Sequence, residues 1–397
     1  MVKHLSILGS TGSIGRQSLS VVEAFPDRFE VVALAAGSNL EELIGQISRH
    51  NPEIVSVGDA QKADQLAATL RSKGLSKLPA IHHGAEGMLA VGTHSKADIV
   101  ISAAVGVVGL AATYEAIKLG KDVALSNKEV LVAAGELVMA AAKAAGRELL
   151  PVDSEHNAVH QCLRGGTHAE VRRIVLTASG GPFRKIPLKS LDTVSPEQAL
   201  AHPNWKMGNR ITIDSATMMN KGFEVIEARW LFEVRPDQIE VVIHPQSTIH
   251  SMVEFVDGSV LAQLGPTDMR MPIQYALTYP ERAASNQMAL DWSKLKRLDF
   301  EKVSTRRFPC LRLAREAMKK GGALPCALNA ADEVAVAAFL DRRLPFLGIA
   351  EVIERVLGRM PKTRFEKMDD VLSADLEARR LAHEEVSKLA IGAAVAR

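Results

Sequence analysis

The first 150 residues alternate short β-rich runs with amphipathic stretches, and this alternation restricts the fold more than any other feature of the chain. Strands are predicted at His4–Leu8, Glu30–Ala35, Ile54–Val57, Asp98–Ser102, Asp122–Leu125 and Glu148–Pro151. Helices are predicted between most of them, as at Ile14–Phe25, Leu40–Arg49 and Ala60–Arg71. Strands joined by helices pair in parallel through crossover connections, which gives an open sheet with helices on both faces. The first strand–helix junction reads G-S-T-G-S-I-G, with glycines at 9, 12 and 15. Glycines let the backbone approach a pyrophosphate, and the helix N-terminus presents N–H groups to it. The spacing is G-x-x-G-x-x-G rather than G-x-G-x-x-G, so a tight structural turn competes with dinucleotide binding as its meaning.

The second strand ends A-A-G-S-N, Ala35–Asn39, without a carboxylate. An NAD site usually carries an acid here for the ribose 2′-hydroxyl. Its absence predicts NADPH over NADH, with Ser38 and Asn39 as hydrogen-bonding groups for a 2′-phosphate. No Arg or Lys is local to the turn, so a cation comes from elsewhere or hydrogen bonds suffice. The strand at Asp122–Leu125 feeds S-N-K-E, Ser126–Glu129, at the start of a helix expected to run to Ala145. Asn127, Lys128 and Glu129 either cap that helix, or Lys128 reaches a substrate or the nicotinamide edge. The residues leave both open.

After the last of these strands comes P-V-D-S-E-H-N, Pro151–Asn157. Asp153 and Glu155 stand two apart, with Ser154 between them and His156 after. Two carboxylates this close repel unless a proton or cation lies between them, and hard divalent cations take such oxygen ligands. Alone, D-x-E reads as a polar turn.

A helix is expected at Ala158–Leu163 and a strand at Arg172–Leu176, leading into T-A-S-G-G-P-F-R, Thr177–Arg184. A Ser-Gly-Gly turn is either an anion cradle or a sharp loop. Ala201–Asn209 places His202, Trp205 and Met207 on a loop bounded by Pro and Gly. Large apolar side chains there point to a lid over a ligand, against an Ω-loop packed on its own tryptophan. Within Asp214–Trp230, Met218, Phe223, Ile226 and Trp230 recur at helical spacing. On that helix Asn220 and Glu224 share a face, with Lys221 beside Glu224, and Gly222 allows a bend. Glu224 is read as the third carboxylate ligand; Glu227, its rival, is placed at the surface or a helix pairing. Strands follow at Ile239–Ile243, Ser251–Phe255 and Ser259–Leu264, the last two joined by the hairpin dipeptide Asp257-Gly258. Residues 281–305 lose periodicity and read as a linker. From Cys310 to Arg397 the pattern is helical, clearest at Ala327–Leu340 and Met368–Leu389.

Composition narrows the function classes. At 397 residues, two or three domains are expected. Lys plus Arg is 48 and Asp plus Glu 46, a balance that argues against a nucleic-acid or membrane surface. Cys162, Cys310 and Cys326 show no C-x-x-C spacing, so neither a disulfide framework nor a zinc site is indicated, and a reducing cytoplasm fits. No secretory signal precedes the first strand. The longest apolar run, Ile99–Ala112, is broken by Ser102, Gly106 and Gly109 and is too short for a bilayer.

Together these features describe an NADPH-type fold, three carboxylates suited to Mg²⁺ or Mn²⁺, and phosphate donors of the right kinds in Ser179, Ser215, Asn220 and Lys221. A metal on Asp153, Glu155 and Glu224 polarises a carbonyl as a Lewis acid. Oxidative decarboxylases share such parts, but their carboxylate substrates call for arginines where these segments carry Ser, Asn and Lys. A semialdehyde dehydrogenase needs an activated Cys, and none is placed for it. An NADPH-sensing protein has no use for three ligating carboxylates.

The strings ILGSTGSIG (7–15), NKE (127–129), PVDSEHNA (151–158), SGGPFR (179–184), HPNWKMG (202–208), IDSATMMNKGFEVIEARWLF (213–232), IHPQSTIHSMVEFVDGSVLAQLG (243–265) and ALNAADEVAVAAFL (327–340) resemble the 1-deoxy-D-xylulose 5-phosphate reductoisomerase family over essentially the whole chain. The resemblance implies conversion of that sugar phosphate to 2-C-methyl-D-erythritol 4-phosphate in non-mevalonate isoprenoid synthesis, with NADPH and Mg²⁺, Mn²⁺ or Co²⁺. It implies metal on Asp153, Glu155 and Glu224, and substrate on Lys128, Ser154, Glu155, Ser179, His202, Ser215, Asn220, Lys221 and Glu224, under Trp205 as the lid. It implies NADPH on Thr11, Gly12, Ser13, Ile14, Gly37, Ser38, Asn39, Asn127, Glu129 and Gly208. Many members carry Lys where this chain has Ser38. The implied fold is α/β: a Rossmann-like parallel sheet (1–150), a central α+β catalytic domain with a dimerising sheet (151–285), a linker (286–305) and a C-terminal helical domain (306–397). A cytoplasmic homodimer is implied, with no nucleic-acid or membrane partner.

Overall fold

A computed structural model describes residues 2–73, 78–205, 207–284 and 289–395 of the chain. These form two compact units. The first takes the residues up to Val130, then Val138–Asn157 and a segment beginning at Asp268; the second takes Leu131–Leu137, Ala158–Thr267 and the C-terminal part.

The first unit is a seven-stranded parallel sheet: β1 (Lys3–Leu8), β2 (Phe29–Ala35), β3 (Ile54–Val57), β4 (Ala80–His83), β5 (Ile99–Ser102), β6 (Asp122–Leu125) and β7 (Leu149–Pro151). The order β4-β3-β2-β1-β5-β6-β7 reverses direction beside β1, the crevice where open α/β sheets hold ligands. Its helices are α1 (Ser13–Ala24), α2 (Leu40–His50), α3 (Ala60–Ser72), α4 (Gly84–Gly92) and α5 (Leu110–Lys118), while α6 (Glu129–Ala144) and α7 (Ser154–Leu163) each give residues to both units. Six strands stand within one residue of expectation. β4 was not expected: as an edge strand it pairs only with β3 and exposes Ala80, His82 and His83, so it has no apolar run to betray it. Asn39 and Asp59 fix the starts of α2 and α3, accepting from the Glu42 and Lys62 N–H groups at 3.1 and 2.9 Å.

The glycine turn is built for close approach. Gly9 has φ +88°, and a Cβ there would lie 2.5 Å from the Ala103 carbonyl oxygen beyond β5. A Cβ on Gly15 would lie 2.4 Å from the carbonyl oxygens of both Gly9 and Ser10, so α1 can begin where it does only without a side chain. Gly15→Ala is therefore expected to displace this turn, cost roughly 1–3 kcal/mol of stability and weaken NADPH binding. Thermal melts and NADPH titration check it, and an unchanged NADPH affinity would remove the turn from the cofactor site.

The second unit contains β8 (Val171–Ala178), β9 (Ile239–Ile243), β10 (Ile249–Phe255), β11 (Val260–Leu264) and β12 (Glu301–Lys302), in the order β11-β10-β8-β9-β12. The β8–β9 pair is parallel and the others antiparallel, so the sheet is mixed. Gly258, φ +87°, turns the expected hairpin. Helices α8 (Pro196–Leu200), α9 (Asn209–Thr217) and α10 (Met219–Leu231) precede β9; α11 (Arg270–Thr278) follows β11 and belongs to the first unit, burying Ile273, Ala276 and Leu277 there. Then come α12 (Pro309–Lys320), α13 (Leu324–Leu340), α14 (Phe346–Arg359) and α15 (Met368–Val395), which share one apolar core with α9, α10 and the sheet. Phe346 makes edge-to-face contacts with both Phe183 and Phe339, at ring distances of 5.0 and 5.7 Å.

Two expectations are corrected. The bend in Asp214–Trp230 falls at Met218, whose φ of +63° separates α9 from α10, and not at Gly222. Gly222 lies inside α10 because α12 is close: a Cβ there would come 2.6 Å from that of Ala314. The stretch 281–305 is not wholly linker, since Glu301–Lys302 pairs with β9; residues 285–288 of it lie outside the described residues.

Candidate active site

The carboxyl ends of β1 and β2 leave a ledge in the first unit. Gly12, Ser13, Gly37, Ser38 and Asn39 are exposed on it, and Thr11 and Ile14 half-buried. No side chain caps α1 behind Gly12, which suits an anion at its first N–H groups. A Cβ on Gly37 would meet nothing within 4 Å, so there is room over this turn, and no carboxylate stands at Ala35–Asn39 to repel a 2′-phosphate. These residues fit a dinucleotide of the NADPH type. Asn127 is buried and donates to the carbonyls of Ala104 and Gly106, the latter at 2.7 Å, so it holds the loop after β5. The half-buried Glu129 opens α6.

The S-N-K-E segment does not cap α6 with a side chain. Lys128, buried, reaches instead across to Asp153 Oδ2. Asp153 explains why α7 starts at Ser154, four residues before the predicted Ala158. Its Oδ1 accepts the Glu155 N–H at 3.1 Å, the bond of an N-cap, and its backbone carbonyl accepts the Asn157 N–H at 2.8 Å. Burial pushes the Asp153 carboxyl up, but the Lys128 charge, helped by His156, outweighs it and holds the group well below the usual carboxylate range. His156, wholly buried, has Nδ1 3.5 Å from Asp153 Oδ1. Ser154 Oγ donates to Glu155 Oε2 at 2.6 Å, leaving both half-exposed at the first turn of α7. Asn157 fastens the start of this helix, donating to the carbonyls of Pro151 and Pro272 at 2.8 and 3.2 Å. The pattern D-S-E-H-N is thus a capped helix start with an ionised, buried carboxylate, not a polar turn.

In the second unit, α10 brings its polar groups together as the spacing predicts. Asn220 Nδ2 donates to Glu224 Oε1 at 2.5 Å, and Lys221 Nζ donates to Glu224 Oε2. Lys221 and Glu224 are both buried. Glu227 is buried too, so of the two positions expected for it, the surface or a helix pairing, the surface is excluded. Nearly every residue of α10 from Met219 to Ala228 is packed, so this helix has no solvated face to receive it.

Ser179 follows β8 and meets the lid. Its Oγ accepts the Gly181 N–H at 3.2 Å and lies 2.9 Å from His202 Nε2. His202 Nδ1 accepts the backbone N–H groups of Asn204 and Trp205 at 3.2 and 3.0 Å. Nδ1 is therefore unprotonated and Nε2–H donates to Ser179, which leaves the serine hydrogen for a further acceptor. Asn204, which the sequence did not single out, anchors the loop by donating to the Pro245 carbonyl at 2.6 Å and Ser247 Oγ at 2.9 Å. Its position between Pro203 and Trp205 was the available sign. Trp205 rests 6.3 Å from the His250 ring. Lys206 lies outside the described residues; Gly208 then caps α9, which carries Ser215. A cleft of about 480 Å³ opens at Ser179, with Gly181, Pro182, Lys185 and Pro203 on its walls.

Burial lowers the His202 pKa from its ordinary 6.5. Because the folded value is depressed, its contribution to stability is full above pH 6.5 and is lost as pH falls through the folded value. Nitrogen NMR is expected to show Nδ1 bare at pH 7 and the lid anchor loosening only in acid; a proton on Nδ1 at neutral pH would contradict this arrangement.

With this geometry in hand, comparison with known proteins is decisive. Residues 5–135 match the family described as 1-deoxy-D-xylulose 5-phosphate reductoisomerase, 149–232 its C-terminal domain, and 264–381 the DXP reductoisomerase C-terminal domain. The 1-deoxy-D-xylulose 5-phosphate reductoisomerase of Solibacter usitatus (strain Ellin6076) is 52% identical over 397 residues, covering 100% of both chains. The chain belongs to the 1-deoxy-D-xylulose 5-phosphate reductoisomerase family. The family's Zymomonas mobilis enzyme, solved in complex with NADPH, superposes with a TM-score of 0.90 at 43% identity, covering 97% of this chain and 99% of that one. A DOX-P reductoisomerase solved with NADPH, fosmidomycin and magnesium gives 0.91 at 38% identity, covering 97% and 98%. The family's α/β architecture, a parallel sheet with a second sheet and a helical C-terminal part, is the one described above.

Proposed function

We propose that this chain rearranges and reduces 1-deoxy-D-xylulose 5-phosphate to 2-C-methyl-D-erythritol 4-phosphate with NADPH and a divalent cation, in the non-mevalonate route to isoprenoids. The observation that carries the chemistry is a pair of buried carboxylates, Asp153 and Glu224, each neutralised by a lysine that is itself buried. Isolated buried charges are too costly to keep without a purpose or a partner. Asp153, Glu155 and Glu224 are the proposed ligands of Mg²⁺, Mn²⁺ or Co²⁺, whose role is Lewis-acid polarisation of the substrate carbonyl and adjacent oxygen.

The remaining assignments follow from donor chemistry. Ser179, His202, Ser215, Asn220 and Lys221 supply neutral and cationic donors for the substrate phosphate. Lys128, Ser154 and Glu155 face the reacting carbons, with Lys128 the cation that steadies negative charge as it develops. Trp205 covers the ligand and excludes water. Thr11, Gly12, Ser13, Ile14, Gly37, Ser38, Asn39, Asn127, Glu129 and Gly208 are assigned to NADPH. As functional regions we assign 1–150 to the cofactor, 151–285 to catalysis and 306–397 to helical support, with 286–305 a connection that β12 ties to the second sheet.

A cytoplasmic homodimer is part of the same proposal. Val260 and Leu261 on the edge strand β11, and Val256 before it, are 51%, 41% and 64% exposed, an apolar edge that a second copy of this sheet would cover. No helix among the described residues is long and apolar enough to cross a membrane. The deciding assay mixes the protein with 1-deoxy-D-xylulose 5-phosphate, NADPH and Mn²⁺ and follows NADPH absorbance. Metal-dependent consumption is expected; none would overturn the assignment.

A further inference from the structure

Behind Ser215, helix α9 turns a set of charged groups inward. Asp214 is buried and Asp332 from α13 wholly buried; each turns a carboxyl oxygen to the same guanidinium, and neither Asp332 oxygen receives a hydrogen bond from any donor among the described residues. Arg210, one turn before Asp214, lies across both: its Nε is 3.7 Å from Asp214 Oδ2 and its Nη2 3.7 Å from Asp332 Oδ2. Its shorter bonds go to two other groups of α13, Glu333 Oε1 at 2.9 Å and Asn329 Oδ1 at 2.8 Å. From α15, Arg379 donates to the other Glu333 oxygen at 2.6 Å and forks onto Asp375 at 2.6 and 3.2 Å. From α12, Cys310 lies beside the pair; burial, with both carboxyls, pushes its thiol up, so it adds no charge. Arg312 on the same helix is already engaged with Glu316 and Glu354, at 2.8 and 2.9 Å.

Asp214, Asp332, Glu333 and Asp375 thus face the guanidiniums of Arg210 and Arg379, and the acids outnumber the bases. Two neighbouring carboxylates out of water do not both ionise; one proton held between them turns repulsion into a hydrogen bond. Burial and the Asp214 charge push the Asp332 carboxyl well above the usual carboxylate range.

The helix held this way is not a neutral one. α9 starts at Gly208, where the lid loop ends; it carries Ser215 beside Asp214; and it stops at Met218, where α10 with Asn220, Lys221 and Glu224 begins. A shift of α9 would move the phosphate donors with it.

We propose that Asp332 is a positioning residue for the phosphate subsite: protonated, and so hydrogen-bonded to Asp214, and bracketed by Arg210, it fixes α9 and with it the Ser215 hydroxyl and the lid anchor. This rests on the assignment of Ser215 to the substrate phosphate. Asp332→Asn keeps the size and a donor for Asp214 but does not titrate; Asp332→Leu keeps the size and removes the bond. Asp332→Leu is expected to raise KM for the phosphorylated substrate roughly ten- to hundredfold with NADPH affinity unchanged, and Asp332→Asn to restore it near neutral pH. In the wild type KM climbs as pH rises through the pair's titration; in Asp332→Asn that limb is absent. A carboxylic-acid C=O infrared band, sensitive to deuteration, is expected in the wild type and missing in Asp332→Asn, a readout that holds even where Asp332→Leu does not fold. A folded Asp332→Leu with wild-type KM, an unaltered alkaline limb in Asp332→Asn, or no such band in the wild type overturns the proposal. Ser215→Ala tests the underlying assignment separately: unchanged KM there fails that assignment, while the infrared band still reports on the carboxyl pair.

Discussion

Glu224→Gln is expected to lower turnover by about 10³-fold, the several kcal/mol that a metal Lewis acid supplies to a transition state, and to leave NADPH binding intact. The amide keeps the size of the side chain and can still accept from Asn220, so the helix is not emptied. What it loses is the negative charge that a divalent cation requires and that Lys221, buried beside it, is paired with. The loss falls on the step that needs the metal and not on the ledge at β1 and β2, where the cofactor is assigned. Single-turnover kinetics with saturating Mn²⁺, alongside NADPH fluorescence titration, separate the two. Turnover unchanged in Glu224→Gln would take this residue out of the site.

Lys221→Met is expected to destabilise the protein by roughly 3–5 kcal/mol, because it takes a buried cation away from the buried Glu224 carboxylate it bonds. Glu224 has no exposure through which water could take over. The size of the loss comes from the broken pairing and not from the lost packing, since methionine fills much of the lysine stem's volume. Two checks isolate that cause. The double variant Lys221→Met with Glu224→Gln removes both charges and is expected to recover most of the stability, a coupling that a double-mutant cycle reads directly. Added Mn²⁺ is expected to raise the melting temperature of Lys221→Met more than that of the wild type, because a cation at Glu224 restores the missing charge. Calorimetry measures both; a single variant that melts with the wild type would show that the pair is not a charged one.

Much of this was legible in the chain because local rules reach that far. The glycines at 9 and 15 are obligatory for reasons of backbone approach, and their spacing after a strand announced it. The i, i+4 relation of Asn220 and Glu224 is a property of any helix, so their contact followed once the helix was granted. Other features had no local sign. Glu227 is as charged in sequence as any surface residue, and only the packing of α10 on every side put it indoors. The break at Met218 defies propensity, since a non-glycine residue at φ +63° is held there by its surroundings. Asp332 sits in A-L-N-A-A-D-E-V-A-V, a run that reads as a good helix and gives no hint that its aspartate comes to lie beside Asp214.

The sequence by itself determined the parallel sheet, the helix that carries Glu224 and the capacity we propose for Asp153-Ser154-Glu155 to bind a hard cation, because each depends on residues within a few positions of one another. Only the tertiary structure decided the charge state of that capacity. It set Lys128 against Asp153 and Lys221 against Glu224 out of water, where a carboxylate stays ionised only if a cation is held to it. It likewise brought Asp332 beside Asp214 under one guanidinium from more than a hundred residues away, where burial and the neighbouring like charge push the Asp332 carboxyl up. Solvent exclusion is a property of the packed whole, and no stretch of chain carries it alone.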